Sequence, residues 1–304
     1  MRWVWKMSDI NKASLLLGNG INRAFAQSSL DDLIEKVAES NGMGNDMETI
    51  QKLPFPMQIV AACKDSVDKS MKGLAKTFRD TESGDEQKRY LRELCSLPLG
   101  AILTTNYTYE LEKALNGRFT SGDYRKYRRL TKAVNSAEKQ SLLFQFTALS
   151  CSEEKYPPIW HIHGEAHYPS SIVMGHYYYG KQLRMIENHI PEMYREYSKA
   201  QTEGKDYQFK SWVDSFLLTD LYILGSGMDL SEADLWWLLC CKKRHPKGHR
   251  TVYITPTKDL TEEKELMLRT YDVEIKKHDD VGDDYRPYLE DALRYLRNEM
   301  RGND

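Results

Sequence analysis

Short apolar runs alternate along the chain with longer segments whose apolar residues recur at helical spacing. The first run, 13–17, breaks into Gly18-Asn19-Gly20-Ile21-Asn22. Leu30, Leu33, Ile34 and Val37 then recur every three or four positions behind Ser29, which reads as a helix cap, with Asp31 and Asp32 in the first turn. Residues 41–52 read as loop or short helix, 55–78 as helical, and 86–95 as a helix that Pro98 ends. The second run, 100–105, leads into Asn106 and a helix over 110–115 closed by Asn116-Gly117. Further strands are expected at 158–162, 171–174, 221–224, 251–255 and 273–276. Helices are expected at 231–243, 262–270 and 286–300, and 177–218 has helical spacing with a polar break at 202–206.

Strands of about five wholly apolar residues between helices favour a parallel sheet covered on both faces. The expected fold is α/β: a Rossmann-like, doubly wound parallel sheet with helices on both faces and a helical insertion or cap. In such sheets ligands bind beyond the carboxyl ends of the strands. Four strand ends here carry polar or glycine-rich groups: Gly18-Asn19-Gly20, Thr104-Thr105-Asn106, His161-Ile162-His163-Gly164 and Gly225-Ser226-Gly227. A doubly wound sheet brings such ends together. We read residues 1–304 as one domain, with helical insertions near 41–98, 118–157 and 177–218.

Composition removes several classes of function. The 304 residues include 43 Lys and Arg against 45 Asp and Glu, a net charge of −2. That balance argues against a bulk electrostatic grip on nucleic acid or acidic lipid, and no direct sequence-specific nucleic-acid binding is expected. The hydrophobic share of 40% is enough for a core and argues against disorder as the main state. No apolar run approaches the ~18 residues of a membrane span. The opening MRWVWKMSDINK has no apolar core of an export signal. The five scattered cysteines contain no C-x-x-C pair, which suits a reduced, cytoplasmic chain without a zinc ribbon.

Each motif has a chemical and a bland reading. Gly18 and Gly20 at a strand-to-helix turn let backbone N–H groups approach a pyrophosphate, or simply make a tight turn. Asn106 both donates and accepts, so it can hold a ribose hydroxyl or orient water; alone, it reads more readily as a turn residue. On a strand, His161 and His163 at i and i+2 share one face and could bind a metal, but carboxylate or cysteine partners are not evident nearby. His163, at the strand end and before a glycine, suits a titrating base, with His161 structural. Glycines at 225 and 227 allow close approach of a ribose or adenine, and Ser226 offers a hydroxyl. Asp229 or Asp234 either takes ribose hydroxyls or caps the next helix. Leu235, Trp236, Leu238 and Leu239 read as a core face. Arg125 to Arg129 read as a solvated face, with phosphate contact as the alternative. Tyr177, Tyr178 and Tyr179 read as interface or pocket mouth.

Taken in order, the four motifs resemble the sirtuin-like (silent information regulator) family. The pieces are GNGIN (18–22), TTNY (104–107), HIHG (161–164) and LGSG (224–227). The segments ILTTNYTYELEKAL, IWHIHGEAH and LYILGSGMDLSEADLWWLL are similar to its bacterial anti-phage defence branch, and also to the abortive-infection H family. The resemblance places Asn106 and His163 on the catalytic pair. It places Gly18, Gly20 and Asn22 on the phosphate loop and Gly225, Ser226 and Gly227 on the ribose and adenine side, with Asn19, Thr105 and Asp229 also expected to bind the cofactor. Thr108 stands where Asp is commoner, and Asp229 where Ser is commoner. The zinc-binding cysteine pairs of the protein deacylases are absent, so no zinc is expected and deacetylation is disfavoured.

The activity the resemblance implies is cleavage of the nicotinamide–ribose bond of NAD+ as substrate, giving nicotinamide and ADP-ribose. The role it implies is NAD depletion in abortive infection. It implies control by homo-oligomerisation or by a partner such as a HerA-like ATPase or an Argonaute-type protein. The alternative is a silent NAD or ADP-ribose sensor.

Overall fold

A computed structural model of the chain describes residues 13–25, 30–64, 81–131, 142–151, 154–279 and 282–301, and parts of 72–79. The cap expected at Ser29 lies outside the described residues. The strands are β1 (Ala13–Leu17), β2 (Ala101–Thr104), β3 (Arg128–Leu130), β4 (Gln145–Thr147), β5 (Ser150–Cys151), β6 (Glu154–Lys155), β7 (Ile159–His161), β8 (Asp220–Leu224), β9 (Thr251–Pro256) and β10 (Val273–His278). All but β5 and β6 form one sheet in the order β10-β9-β8-β1-β2-β7-β4-β3. The six strands from β10 to β7 are parallel, and β4 and β3 add antiparallel at one edge.

Strand alternation divides the core in two. Leu15, Leu17, Ile102, Ile159, Tyr222, Leu224, Val252 and Ile254 face one layer, which holds Ile34 and Val37, Ile59 and Ala62, Leu91 and Leu94, Leu111 and Ala114, and Leu289 and Leu293. Leu16, Leu103, Trp160, Leu221, Ile223 and Tyr253 face the other, with Ile186 and Met193, Phe216 and Leu217, Leu235 and Leu238, and Leu268. The helices Leu30–Ser40, Phe55–Cys63, Asp85–Cys95, Glu110–Asn116 and Arg286–Arg301 thus cover one face. His176–Thr202, Trp212–Leu218, Ala233–Arg244 and Glu262–Thr270 cover the other. This is the expected doubly wound α/β fold, with about the expected strand and helix bounds.

The helices of segments 41–98 and 177–218 pack on the two faces of the sheet. Other expectations need correction. Segment 118–157, read as a helical cap, adds a short helix, Ser121–Tyr127, and the edge strands β3 and β4. The helical stretch expected over 55–78 is broken: Phe55–Cys63 ends where Lys64 takes φ 53°, and the described residues of 72–79 are helical again. No strand forms over 171–174. Pro169–Ser171 make a 3₁₀ turn, and the following apolar residues lie buried as loop, Val173 N–H donating to the His163 carbonyl at 2.7 Å. Burial rather than pairing explains that apolar run. No helix among the described residues is long and apolar enough to cross a membrane.

The topology positions the site. From β1 the chain winds outward through β2 to β7, then returns to β8 on the other side of β1. The reversal makes the carboxyl ends of β1 and β8 the switch point at which a doubly wound sheet offers its ligand crevice. Register keeps the strand ends level: Leu17 pairs with Thr104 and Leu224, and Thr104 with His161.

Candidate functional site

The first surprise in the crevice is how the glycines are used. Gly18 N–H donates to the Leu224 carbonyl at 3.0 Å, and Gly20 N–H to the Gly225 carbonyl at 2.7 Å. A Cβ on Gly18 would lie 2.4 Å from Ser226 Cα, and one on Gly20 2.6 Å from the Gly225 oxygen. Neither glycine has positive φ. They are glycines because two loops touch. Gly225 does need its freedom, with φ 64°. Gly227 is exposed, and a side chain there would meet open space. Ser226 is buried; its hydroxyl accepts from Met228 N–H at 3.2 Å, and its carbonyl from the Tyr253 hydroxyl at 2.9 Å. Asp229 accepts from Ser231 N–H at 2.8 Å, and so acts as a turn cap. Thr105 N–H ties its loop to the Leu17 carbonyl at 3.1 Å.

Beside these loops lies a buried amide network. Asn106 is 4% exposed, and its Nδ2 donates to Glu110 Oε1 at 2.5 Å. Asn22 Nδ2 donates to Asn19 Oδ1 at 2.9 Å and, at 3.4 Å, to the same Glu110 oxygen. Gln87 Nε2 donates to Asn22 Oδ1 at 2.8 Å. The Thr108 hydroxyl donates to Glu110 Oε2. Burial pushes the Glu110 carboxyl up, while the bonds from Thr108 and Asn106 pull the other way. Two acceptors of this network, Asn106 Oδ1 and Gln87 Oε1, are buried without a partner. An unmet buried acceptor costs about 1–3 kcal/mol. A hydroxyl or amide donor arriving there would recover it.

The second cluster surrounds His163. Its Nε2–H donates to Asp234 Oδ2 at 3.0 Å. Gln182 Nε2 donates to the same oxygen at 2.8 Å and to the Ile162 carbonyl at 3.0 Å. The Tyr179 ring stands edge-on to the imidazole at 5.6 Å. Burial pushes the His163 pKa down, but Asp234, bonded to it, and nearby Glu232 outweigh that and leave it raised. Burial lifts the Glu232 carboxyl to about 7; His163 opposes that rise and Asp234 adds to it. Of the three consecutive tyrosines, Tyr179 is buried here and Tyr177 is exposed.

His161 does not share the face of His163. Strand β7 ends at His161, so alternation stops there. His161 Nδ1–H donates to the Asn106 carbonyl at 2.8 Å and Nε2–H to Glu112 Oε1 at 2.9 Å, toward the opposite layer. With acceptors at both nitrogens the ring carries both protons. Burial opposes that charge, but Glu112 overcomes it and holds the pKa at about 9.

The structure therefore brings Asn19, Asn22 and Asn106 together through Glu110 and Gln87, and joins the loops of Gly18, Gly20 and Gly225. His163 is held on the other face by Asp234 and Gln182. Glu110, Gln87, Gln182 and Glu232 escape sequence reasoning. Only Glu110, four residues after Asn106 in the first turn of a helix, offers a local signal. Among the described residues, no group of three or more His, Cys, Asp or Glu is placed to hold a metal ion.

No curated protein matches the chain. The SIR2-like domain matches residues 100–275, more than half of it, from β2 through the His163 loop and the Gly225–Gly227 turn into β10. That span contains three of the four strand ends that line the crevice, and the protein belongs to the SIR2-like domain family.

Proposed function

We propose that the chain is an NAD+ glycohydrolase that uses water to split the nicotinamide–ribose bond. The family supports NAD binding, and the observation that carries the reading is Asn106. Its amide nitrogen is clamped by Glu110, and its buried carbonyl oxygen is left without a partner beside the crevice. That oxygen suits a ribose hydroxyl or the attacking water. NAD+ and water give nicotinamide, ADP-ribose and a proton. Nicotinamide leaves as a neutral molecule from a cationic precursor, so no acid is needed to expel it. The transition state is oxocarbenium-like. Asp234 holds the Nε2–H of His163, which makes Nδ1 the lone-pair nitrogen that takes the proton of water. The resulting imidazolium is paired with Asp234.

The biological role we propose is NAD depletion in anti-phage defence, with control by self-assembly or a partner protein. The test is purified chain with NAD+, wild type beside His163→Ala and Asn106→Ala, with nicotinamide and ADP-ribose followed over time. Release by wild type and its loss in both variants supports the reading. Unchanged release in both variants removes the assignment. NAD binding without release, alone and with candidate partners, favours a silent sensor. The complete burial of the His163–Asp234 pair is the observation on that side.

A further inference from the structure

The basic, aromatic stretch after Thr120 folds into something more specific than a solvated face. Tyr124, Arg125, Arg128, Arg129, Leu130, Gln145 and Tyr168 line a cleft of about 510 Å³ at the β3 edge of the sheet. Arg128 forms its floor. It pairs with Glu165 and donates through Nε to Gln145 Oε1 at 2.5 Å. Its guanidinium lies 4.7 Å from the Tyr124 ring centre and 5.7 Å from that of Tyr168. Glu165 is further fixed by the hydroxyls of Tyr124, at 3.1 Å, and Tyr109, at 3.3 Å. The floor is thus pre-organised and its charge balanced.

The rim is different. Arg129 is held by backbone carbonyls, those of Lys126 at 2.7 Å and Arg128 at 2.9 Å. Neither Arg125 nor Arg129 forms an ion pair with an acidic group among the described residues. Two guanidiniums with no acidic partner among the described residues, at the mouth of a concave, tyrosine-walled space, call for an anion with a flat body. Guanidinium suits phosphate, and tyrosine faces suit a base. The cleft is larger than phosphate needs and lies in the usual range for small ligands. The chain's net charge of −2 disfavours a long nucleic-acid strand.

We propose that this cleft is a second binding site, separate from the strand-end crevice, for a mononucleotide whose phosphate is held by Arg125 and Arg129 and whose base lies against Tyr124 and Tyr168. The site does not depend on the NAD reading.

The test is calorimetric titration of the full chain with AMP, adenosine, inorganic phosphate and a single-stranded oligonucleotide of about a dozen residues. Wild type and Arg125→Glu/Arg129→Glu are compared, with melting temperature as the check on folding. The expected result is AMP binding by wild type, weaker binding of phosphate, and weaker still of adenosine. AMP affinity should fall about tenfold or more in the double variant, since each factor of ten is only about 1.4 kcal/mol. If the charge reversal lowers the melting temperature, Arg125→Gln/Arg129→Gln repeats the test. No AMP binding by wild type, equal AMP affinity in the folded double variant, or adenosine binding as well as AMP would each overturn the proposal. Oligonucleotide binding lost in the double variant while AMP fails to bind would overturn it in favour of a strand.

Discussion

His161 and His163 stand two residues apart and do different work because they face different layers of the molecule. His161 offers both N–H groups to fixed acceptors, Glu112 and the Asn106 carbonyl, so the fold uses all of its chemistry. His163 gives one nitrogen to Asp234, and the proposed reaction needs the other. The same contrast separates the glycines. Gly18 is consumed by contact with Ser226, whereas Gly227 stands free. A motif residue serves a ligand only where the fold has left part of it unspent.

The strongest way to break this comparison is to remove each imidazole in turn. His163→Ala should lower NAD+ turnover by roughly 10²–10⁴-fold, the usual worth of a positioned base, and should cost less stability than loss of His161, because buried Asp234 keeps the bonds from Gln182 Nε2 and Leu235 N–H. His161→Ala should do the reverse. It strands the buried Glu112 carboxylate, and losing one partner of a buried pair costs about 3–5 kcal/mol. Nicotinamide release and urea midpoints together decide the matter. If both variants lose only stability, His163 is as structural as His161.

The pH dependence sharpens the same contrast. His161 is held at about 9 in the folded chain, above its unfolded value of about 6.5. A raised pKa contributes stability that is fully present below about 6.5 and is lost as pH rises through 9. We expect urea stability to decline between those limits by on the order of 3 kcal/mol. Glu112→Gln should flatten that decline. A wild-type profile that is flat over this window would contradict the charged pair.

Much of the frame is legible in the sequence. Runs of four or five apolar residues buried on both faces leave a clear mark, and 13–17 is found as β1 with the same bounds. Edge strands leave none: Arg128–Leu130 is half-exposed and polar because only one side of it pairs. The strand ends can be named, since glycine and amide clusters stand out after apolar runs. Their partners cannot. Asp234 lies 71 residues from His163, and Glu110 lies 88 from Asn22. No local pattern encodes such pairs, and helix packing on the two faces of the sheet decides them. The spacing of the two histidines misleads for a related reason: alternation holds only while the strand lasts.

Glu110 tests whether an unseen partner matters. Glu110→Ala removes both carboxylate oxygens, so the carboxamide of Asn106 loses the acceptor that fixes its orientation. Turnover should fall about tenfold, equivalent to roughly 1.4 kcal/mol, with NAD+ affinity changed less. A variant with wild-type turnover would show that Asn106 is oriented by something else.

The smallest effect is expected at Gly227, and it is the most discriminating about the crevice. A Cβ there meets nothing within 4 Å, so Gly227→Ala should change stability by no more than about 0.5 kcal/mol. Gly18→Ala drives a Cβ to 2.4 Å from Ser226 Cα and should cost about 1–3 kcal/mol through overpacking. If the free glycine serves a ligand whose ribose or adenine comes close to the backbone, Gly227→Ala should raise KM for NAD+ severalfold at unchanged kcat, because the methyl group fills space that only the ligand uses. If KM is unchanged, the glycine at 227 is open without being used, and ligand contact on this side of the crevice rests on Gly225 and Ser226.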